Sequence, residues 1–221
     1  MPGGWMETLA AIGFSGRAAP WQGGFGLDLG TANLRLVDGR GRRLEAAAVL
    51  ARESGGERRV VAFGDEARRM EGRTPGGLEL VCPIRRGAIA DYDAAEVLLR
   101  LLFRRFGGGG RLRRQRPVLV AARWGQSQVE ERAVEQALEA AGAGRVGFLA
   151  APLLAAIGLG LEVGEPRGRL ILEIGASESS AAVITAGGVA LAGRWPVGGM
   201  EMDEAVQRWF RQEHGLVVGR P

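Results

Sequence analysis

The stretch Gly26-Leu27-Asp28-Leu29-Gly30-Thr31-Ala32-Asn33 decides the fold, because it returns in altered form as Ile171-Leu172-Glu173-Ile174-Gly175-Ala176. In both, an apolar strand delivers one carboxylate, one apolar residue and a glycine, then small residues including hydroxyls, and the chain turns back as an antiparallel strand. Glycine lets backbone approach closely, and successive turn N–H groups form a concavity suited to phosphate oxygens. Thr31 adds a hydroxyl donor. A carboxylate at each strand end can hold hydrated Mg²⁺, a cation that binds few protein groups directly and keeps several waters. One such turn is an ordinary hairpin, whereas two with matching order predict paired half-domains facing each other across a polyphosphate.

Working outward, Phe25 to Leu29 and Asn33 to Asp38 read as hairpin strands ending at the Asp38-Gly39 turn signal. Leu44 to Ala51 and Arg58 to Phe63 read as further strands. A helix from Asp93 to Phe106 has Asp93 as cap, an apolar stripe of Val97, Leu98, Leu101 and Leu102, and four glycines after it. Pro117 to Ala122 reads as a buried strand, and the capping-box pair Ser127 and Glu130 opens a helix that closes at Gly142. Strands at 146 to 149, 170 to 174, 181 to 185 and 189 to 195 follow, with helices at 152 to 158 and 201 to 213. Hairpins first, then strands alternating with helices, predict an α/β protein with a mixed sheet.

Composition excludes several classes. The chain has 221 residues and a net charge of +4, with 29 basic residues that are all arginine. The absence of lysine, with a single asparagine (Asn33) and a single tyrosine (Tyr92), marks a bias across the whole sequence, and no nucleic-acid partner is expected. The lone Cys82 permits no internal disulfide, and its apolar neighbours Leu80, Val81 and Pro83 predict a buried thiol in a reducing compartment. The longest uncharged run, 146 to 161, falls short of the roughly 20 residues needed to span a bilayer. No base precedes Arg17, so a secretory leader is not expected and cytoplasmic residence is. Trp5, Met6, Leu9 and Ile12 recur at helical spacing, consistent with a short apolar-faced helix over residues 4 to 13; the segment packs on the body or is disordered, with a membrane-surface anchor as the alternative.

The chain resembles the MreB/Mbl family of rod-shape-determining bacterial actin homologues, within the actin, Hsp70 and sugar kinase superfamily. The resemblance runs from about Phe25 to Gly219. It rests on GLDLGTAN (26 to 33), FGDEARRMEGRTPG (63 to 76), IRRGAIADYDAAEVLLR (84 to 100), VEERAVEQALEAAGA (129 to 143), APLLAAIGLGLEVGEP (151 to 166) and VGGMEMDEAVQRW (197 to 209). GLDLG alone marks the superfamily; the stretches from RTPG to IADY and GGMEMDEA point to this branch.

The resemblance implies an actin-like ATPase (ribonuclease H-like) fold, a mixed sheet flanked by helices. Its implied division is an N-terminal extension (1–24), a first domain (25–51 and 85–150), a small inserted subdomain (52–84) and the beginning of a second domain (151–221). It also implies a cytoplasmic protein, at the inner face of the cell membrane, that binds ATP with Mg²⁺ and assembles with itself or a full-length homologue into filaments that organise cell-wall synthesis. Asp28, Gly30, Thr31, Ala32 and Asn33 match the first phosphate motif unchanged. In the second, Glu173 stands for the family's aspartate, and Gly175, Ala176, Ser177, Glu178 and Ser179 stand for its glycines and threonines. Asp28 and Glu173 are the expected Mg²⁺ carboxylates, acting through water. Gln128 stands where the family's glutamate activates the attacking water; an amide orients water but cannot take its proton at neutral pH.

The family chain continues beyond the part matched by Gly219 to Pro221, into residues that contact the nucleoside. Arg111 to Arg116 replaces a membrane-contacting apolar loop with a basic cluster that can attract anionic lipid. These departures leave a second reading open, a chain without nucleotide turnover that caps or joins filaments of a full-length homologue, and a third, another member of the superfamily.

Overall fold

The computed structural model describes residues 23–55, 58–107 and 116–219. The expected helix over 4 to 13 and most of the basic cluster at 111 to 116 lie outside them. A five-stranded mixed sheet has the order β10-β9-β1-β2-β3, built from β1 (Phe25–Leu29), β2 (Asn33–Asp38), β3 (Arg43–Ala47), β9 (Val118–Ala122) and β10 (Val146–Ala150). β1 pairs with β2 antiparallel and with β9 parallel, which places Asp28 near the carboxyl end of the central strand.

Period-two alternation dictates which way β1 faces. Phe25, Leu27 and Leu29 are buried while Gly26 and Asp28 turn to the other face. On the buried face lie α2 (Tyr92–Phe106) and α3 (Gln128–Ala140). Leu98, Leu99, Leu102, Phe103 and Phe106 of α2, at helical spacing, meet Val134, Ala137 and Leu138 of α3 in one core. Phe25 anchors it, its ring 6.2 Å from that of Phe103 and edge-on to Phe106 at 5.2 Å.

The run expected as one strand, Leu44 to Ala51, is two strands in two sheets. β3 ends at Ala47, and β4 (Leu50–Glu53) pairs with β5 (Val60–Phe63) and β6 (Leu78–Val81), with the short helix α1 (Asp65–Arg68) alongside. Ala46, Ala48 and Leu50 enter the main core, whereas Ala47, Val49 and Ala51 enter a second core with Ala62 and Ala67. An unbroken apolar run of small residues thus feeds two cores alternately as the chain crosses between sheets.

Two further expectations are corrected. α2 is capped by Asp91, whose Oδ1 accepts from the Ala94 N–H at 3.0 Å; Asp93 is in the first turn. The Pro83 carbonyl accepts the Ala90 N–H and fixes that entry. Cys82 is exposed: β6 ends at Val81, and the chain buries the next two residues, Pro83 and Ile84, in its place.

A hairpin of β7 (Ile84–Arg85) and β8 (Ala88–Ile89) leads into α2. The remaining strands, β11 (Arg169–Ile174), β12 (Ser179–Thr185) and β13 (Gly188–Trp195), form an antiparallel sheet. α4 (Ala151–Gly158) covers one face through Leu153 and Ala156 against Ile171, Ala182 and Ile184. The opposite face leaves Leu170, Leu172 and Ile174 exposed. α5 (Gly199–His214) ends at Gly215 in the left-handed conformation, φ 63°. Among the described residues, no helix is long and apolar enough to cross a membrane.

Candidate functional site

The turn between β1 and β2 needs a glycine at its first position. A Cβ on Gly30 would stand 2.5 Å from the Asn33 carbonyl oxygen. The rest of that turn is propped by α1, which the sequence reading did not find: Arg68 donates to the Ala32 carbonyl and, at 2.7 Å, to the Asn33 Oδ1. On the outer face of the sheet Asp28 lies opposite Arg35 and accepts from its Nη1 at 3.1 Å, while Arg35 Nη2 reaches Glu45 at 3.0 Å. Both members of the Asp28–Arg35 pair are about half exposed, and such pairs contribute on the order of 0–1 kcal/mol, so a competing cation can displace the arginine.

The second turn, between β11 and β12, closes through the Gly175 N–H and the Glu178 carbonyl at 2.9 Å. Its carbonyls are held from below by the start of α5: Gly199 N–H donates to Gly175 at 2.9 Å and Met200 N–H to Ala176 at 2.7 Å. Gly198 makes this approach feasible, since a Cβ there would lie 2.6 Å from three backbone atoms of Gly175 and Ala176.

The two turns meet. The hydroxyls of Thr31 and Ser177, 146 residues apart, are hydrogen-bonded at 2.8 Å, and Ser177 is buried. The carboxylates behind them also sense each other. Burial pushes the Glu173 carboxyl above its ordinary value of 4.5 and the charge of Asp28 adds to this, against an opposing hydrogen bond from Ser180 Oγ at 3.1 Å. Two facing carboxylates that repel, one half-buried, suit the water shell of a divalent cation. Among the described residues, no cluster of three or more His, Cys, Asp or Glu could cage a metal directly.

Gln128 and Gln126 part company. The capping box, Ser127 N–H to Glu130 at 2.8 Å and Glu130 N–H to Ser127 at 3.3 Å, fixes Gln128 as the first helical residue, where it is exposed. Gln126 instead lines a cavity of about 90 Å³ with Asp28, Gly87, Arg123 and Ala151. That volume has room for ordered water beside Asp28. The legible signal was the capping box itself, since it sets the helix start and leaves the residue before the cap in the loop between β9 and α3.

Glu178 does not project at the first turn. Its carboxylate lies 3.3 Å from Arg194 and 3.9 Å from Arg123, which also binds Glu130. Backbone donation from Ser127, with Arg123 adding to it, holds Glu130 below the usual carboxylate value.

Comparison with known proteins places this geometry. The model of the MreB/Mbl protein family matches residues 22–221. The cell shape-determining protein MreB of Escherichia coli K12 is 36% identical over 197 residues, covering 87% of this chain and 57% of that protein. The cell shape-determining protein Mbl of Bacillus subtilis is 32% identical over 195 residues, 88% of this chain and 58% of that one. The chain therefore spans somewhat under three-fifths of the length of these relatives. The crystal structure of MreB5 of Spiroplasma citri bound to ADP superposes with a TM-score of 0.83 at 27% identity, covering 90% of this chain and 60% of that chain. The MamK double helical filament, at 16% identity and a TM-score of 0.71, shares the fold. With the motif order, the facing turns and the actin-like architecture in agreement, the chain belongs to the MreB/Mbl family of bacterial actin homologues.

Proposed function

We propose that this chain binds an adenine nucleotide with Mg²⁺ between its two hairpin turns, as part of a cell-shape filament protein. The observation that carries the reading is the Thr31–Ser177 hydrogen bond, which brings the two turns into contact from opposite halves of the chain. A polyphosphate entering there exchanges that bond for bonds from both hydroxyls to its oxygens. Asp28 and Glu173 hold the water shell of the cation, which neutralises phosphate charge when bound, and Gln126 or Gln128 orients water. Gly30, Ala32 and Asn33 on one side, with Gly175, Ala176 and Ser177 on the other, form the cradle. The family's solved relatives support the ligand class: MreB5 of Spiroplasma citri is described bound to ADP and to AMPPNP.

In this reading residues 25–51 with 85–150 are the first domain, 52–84 its inserted subdomain and 151–221 the start of the second. The protein works in the cytoplasm at the inner membrane face, assembling with itself or a full-length homologue, with 4–13 and 111–116 as membrane contacts. Isothermal titration of the purified chain with ATP and Mg²⁺ tests the site. Sub-millimolar affinity that Asp28→Ala abolishes, with the fold retained by circular dichroism, is the expected result. Affinity no tighter than millimolar overturns it.

A further inference from the structure

Beside the facing turns lies a second, wider cavity of about 460 Å³. Its charged lining is four arginines, Arg85, Arg86, Arg123 and Arg194, against two glutamates, Glu130 and Glu178. These come from five separate parts of the fold: the β7–β8 hairpin, the residue following β9, the first turn of α3, the second hairpin turn and β13. The excess of cationic side chains is thus a product of tertiary structure.

Three observations argue for an anion in the cavity. First, Arg86 sits at φ 50° beside Gly87 at φ 69°, left-handed positions that a two-residue hairpin turn fills best with glycine or asparagine. An arginine held there is strained, and strain kept in place is a pointer to function. Second, the turn rests on Arg123: a Cβ on Gly87 would meet the Arg123 Cδ at 2.9 Å. The Nε of Arg123 is buried there with no hydrogen-bond partner. Third, Glu178 holds these cations by one hydrogen bond only, accepting from Arg194 Nη1 at 3.3 Å. Its approach to Arg123 is 3.9 Å, too long for a second. Burial pushes its carboxyl above its ordinary value, even though the charges of Arg123 and Arg86 oppose this. A tetrahedral oxyanion offers more acceptor oxygens and more charge than one carboxylate, and guanidinium forks match it bidentately.

We propose that this arginine-lined cavity binds a small phosphate-type oxyanion, for which Glu178 is the resident internal counter-ion. Entry of the anion displaces Glu178 from Arg194 and Arg123 and so releases the tie between the second turn and β9. The site is distinct from the cradle between Thr31 and Ser177 and stands whether or not a nucleotide occupies that cradle.

The test is calorimetric titration of the full chain with inorganic phosphate and with pyrophosphate, at ionic strength held constant with sodium chloride. Saturable binding of either anion is expected. Glu178→Gln, which keeps the shape and removes the competing charge, should tighten it by about tenfold or more, and Arg194→Ala should weaken it by a similar factor, as expected for charge-assisted hydrogen bonds. Arg86→Gly is the sharpest variant: it relieves the left-handed strain and raises thermal stability, yet it should weaken anion binding. Thr31→Val should weaken nucleotide binding and leave phosphate affinity unchanged. No saturable heat in either the parent or Glu178→Gln overturns the proposal, as does unchanged affinity in Arg86→Gly and Arg194→Ala. A fall in phosphate affinity in Thr31→Val that matches the nucleotide's also overturns it, because the anion then sits between the turns.

Discussion

Gly198 and Gly199 are neighbours in sequence, and the structure assigns them opposite sensitivities. A methyl group on Gly198 would stand 2.6 Å from the Ala176 carbonyl carbon and oxygen and from the Gly175 oxygen, against the 3.4 Å at which ordinary contact begins. All three are backbone atoms that no rotamer change can move. The start of α5 must therefore withdraw from the second turn by about 0.8 Å, stretching the bonds from Gly199 to Gly175 and from Met200 to Ala176. Overpacking of this kind costs about 1–3 kcal/mol, with roughly 0.5–1.5 kcal/mol for each hydrogen bond weakened. Gly198 has φ −144° and ψ −164°, extended backbone open to alanine, so the penalty is steric alone. At Gly199 the nearest atom to an added Cβ is 3.9 Å away, and alanine gains about 0.5–1 kcal/mol of helix propensity. Gly198→Ala is accordingly expected to lower stability by at least about 2 kcal/mol, a Tm drop of at least about 4 °C for a chain of this size, and Gly199→Ala to hold or raise it. Thermal and urea unfolding followed by circular dichroism measure both. Equal tolerance at the two positions refutes the claim that the helix start is seated on the second turn.

Three other outcomes follow from the geometry. The Glu173 carboxyl is raised in the folded chain, so its contribution is fully present below 4.5 and is lost as pH rises through the raised native value. Glu173→Gln should remove that decline, narrowing or reversing its difference from the parent as pH rises above 4.5 in urea titrations; a difference that stays constant with pH contradicts it. Phe103→Ala should destabilise by about 3–5 kcal/mol, because the ring is 2% exposed and stacks on Phe25 at the centre of the core; a loss below 1 kcal/mol by urea unfolding contradicts that placement. If the chain turns nucleotide over, Gln126→Ala should slow turnover more than Gln128→Ala at similar nucleotide affinity, since Gln126 shares a cavity with Asp28. A phosphate-release assay that ranks them the other way contradicts it.

Much of the fold was legible because the chain repeats its own punctuation. The alternation in Phe25 to Leu29, the Asp38-Gly39 turn, the Ser127–Glu130 capping box and the stop at Gly215 are local signals, and local signals survive folding. Leu44 to Ala51 was misread because alternation reveals which residues face apart but not that both faces are buried, here in different cores. The cap of α2 shifted from Asp93 to Asp91 because the chain before it is tied to Pro83, a contact with no signature in the helix itself. Within the site, the residues that arguments from motif order did not find are Arg35, Arg68, Arg123, Arg194 and Gln126. Each reaches the turns from another strand, helix or loop, and four are arginines in a chain where arginine supplies every basic side chain and carries no local information.

That last point changes the meaning of the second turn. On sequence alone, Ser177 places a side chain where backbone should approach phosphate, and Glu178 places negative charge beside anionic oxygens. In the folded chain the Ser177 hydroxyl is spent on Thr31, and the Glu178 carboxylate is turned toward Arg194 and Arg123. Both departures from the family motif therefore have partners: Thr31 and Arg123 come from the first half of the chain, and Arg194 from β13, the strand beside the second turn. A side chain that looks like damage when read along one strand is a contact when read across the cleft. The arginine-lined cavity follows directly: a carboxylate introduced beside a phosphate site must be neutralised, and the cations that neutralise it leave a positive surplus that an oxyanion can use.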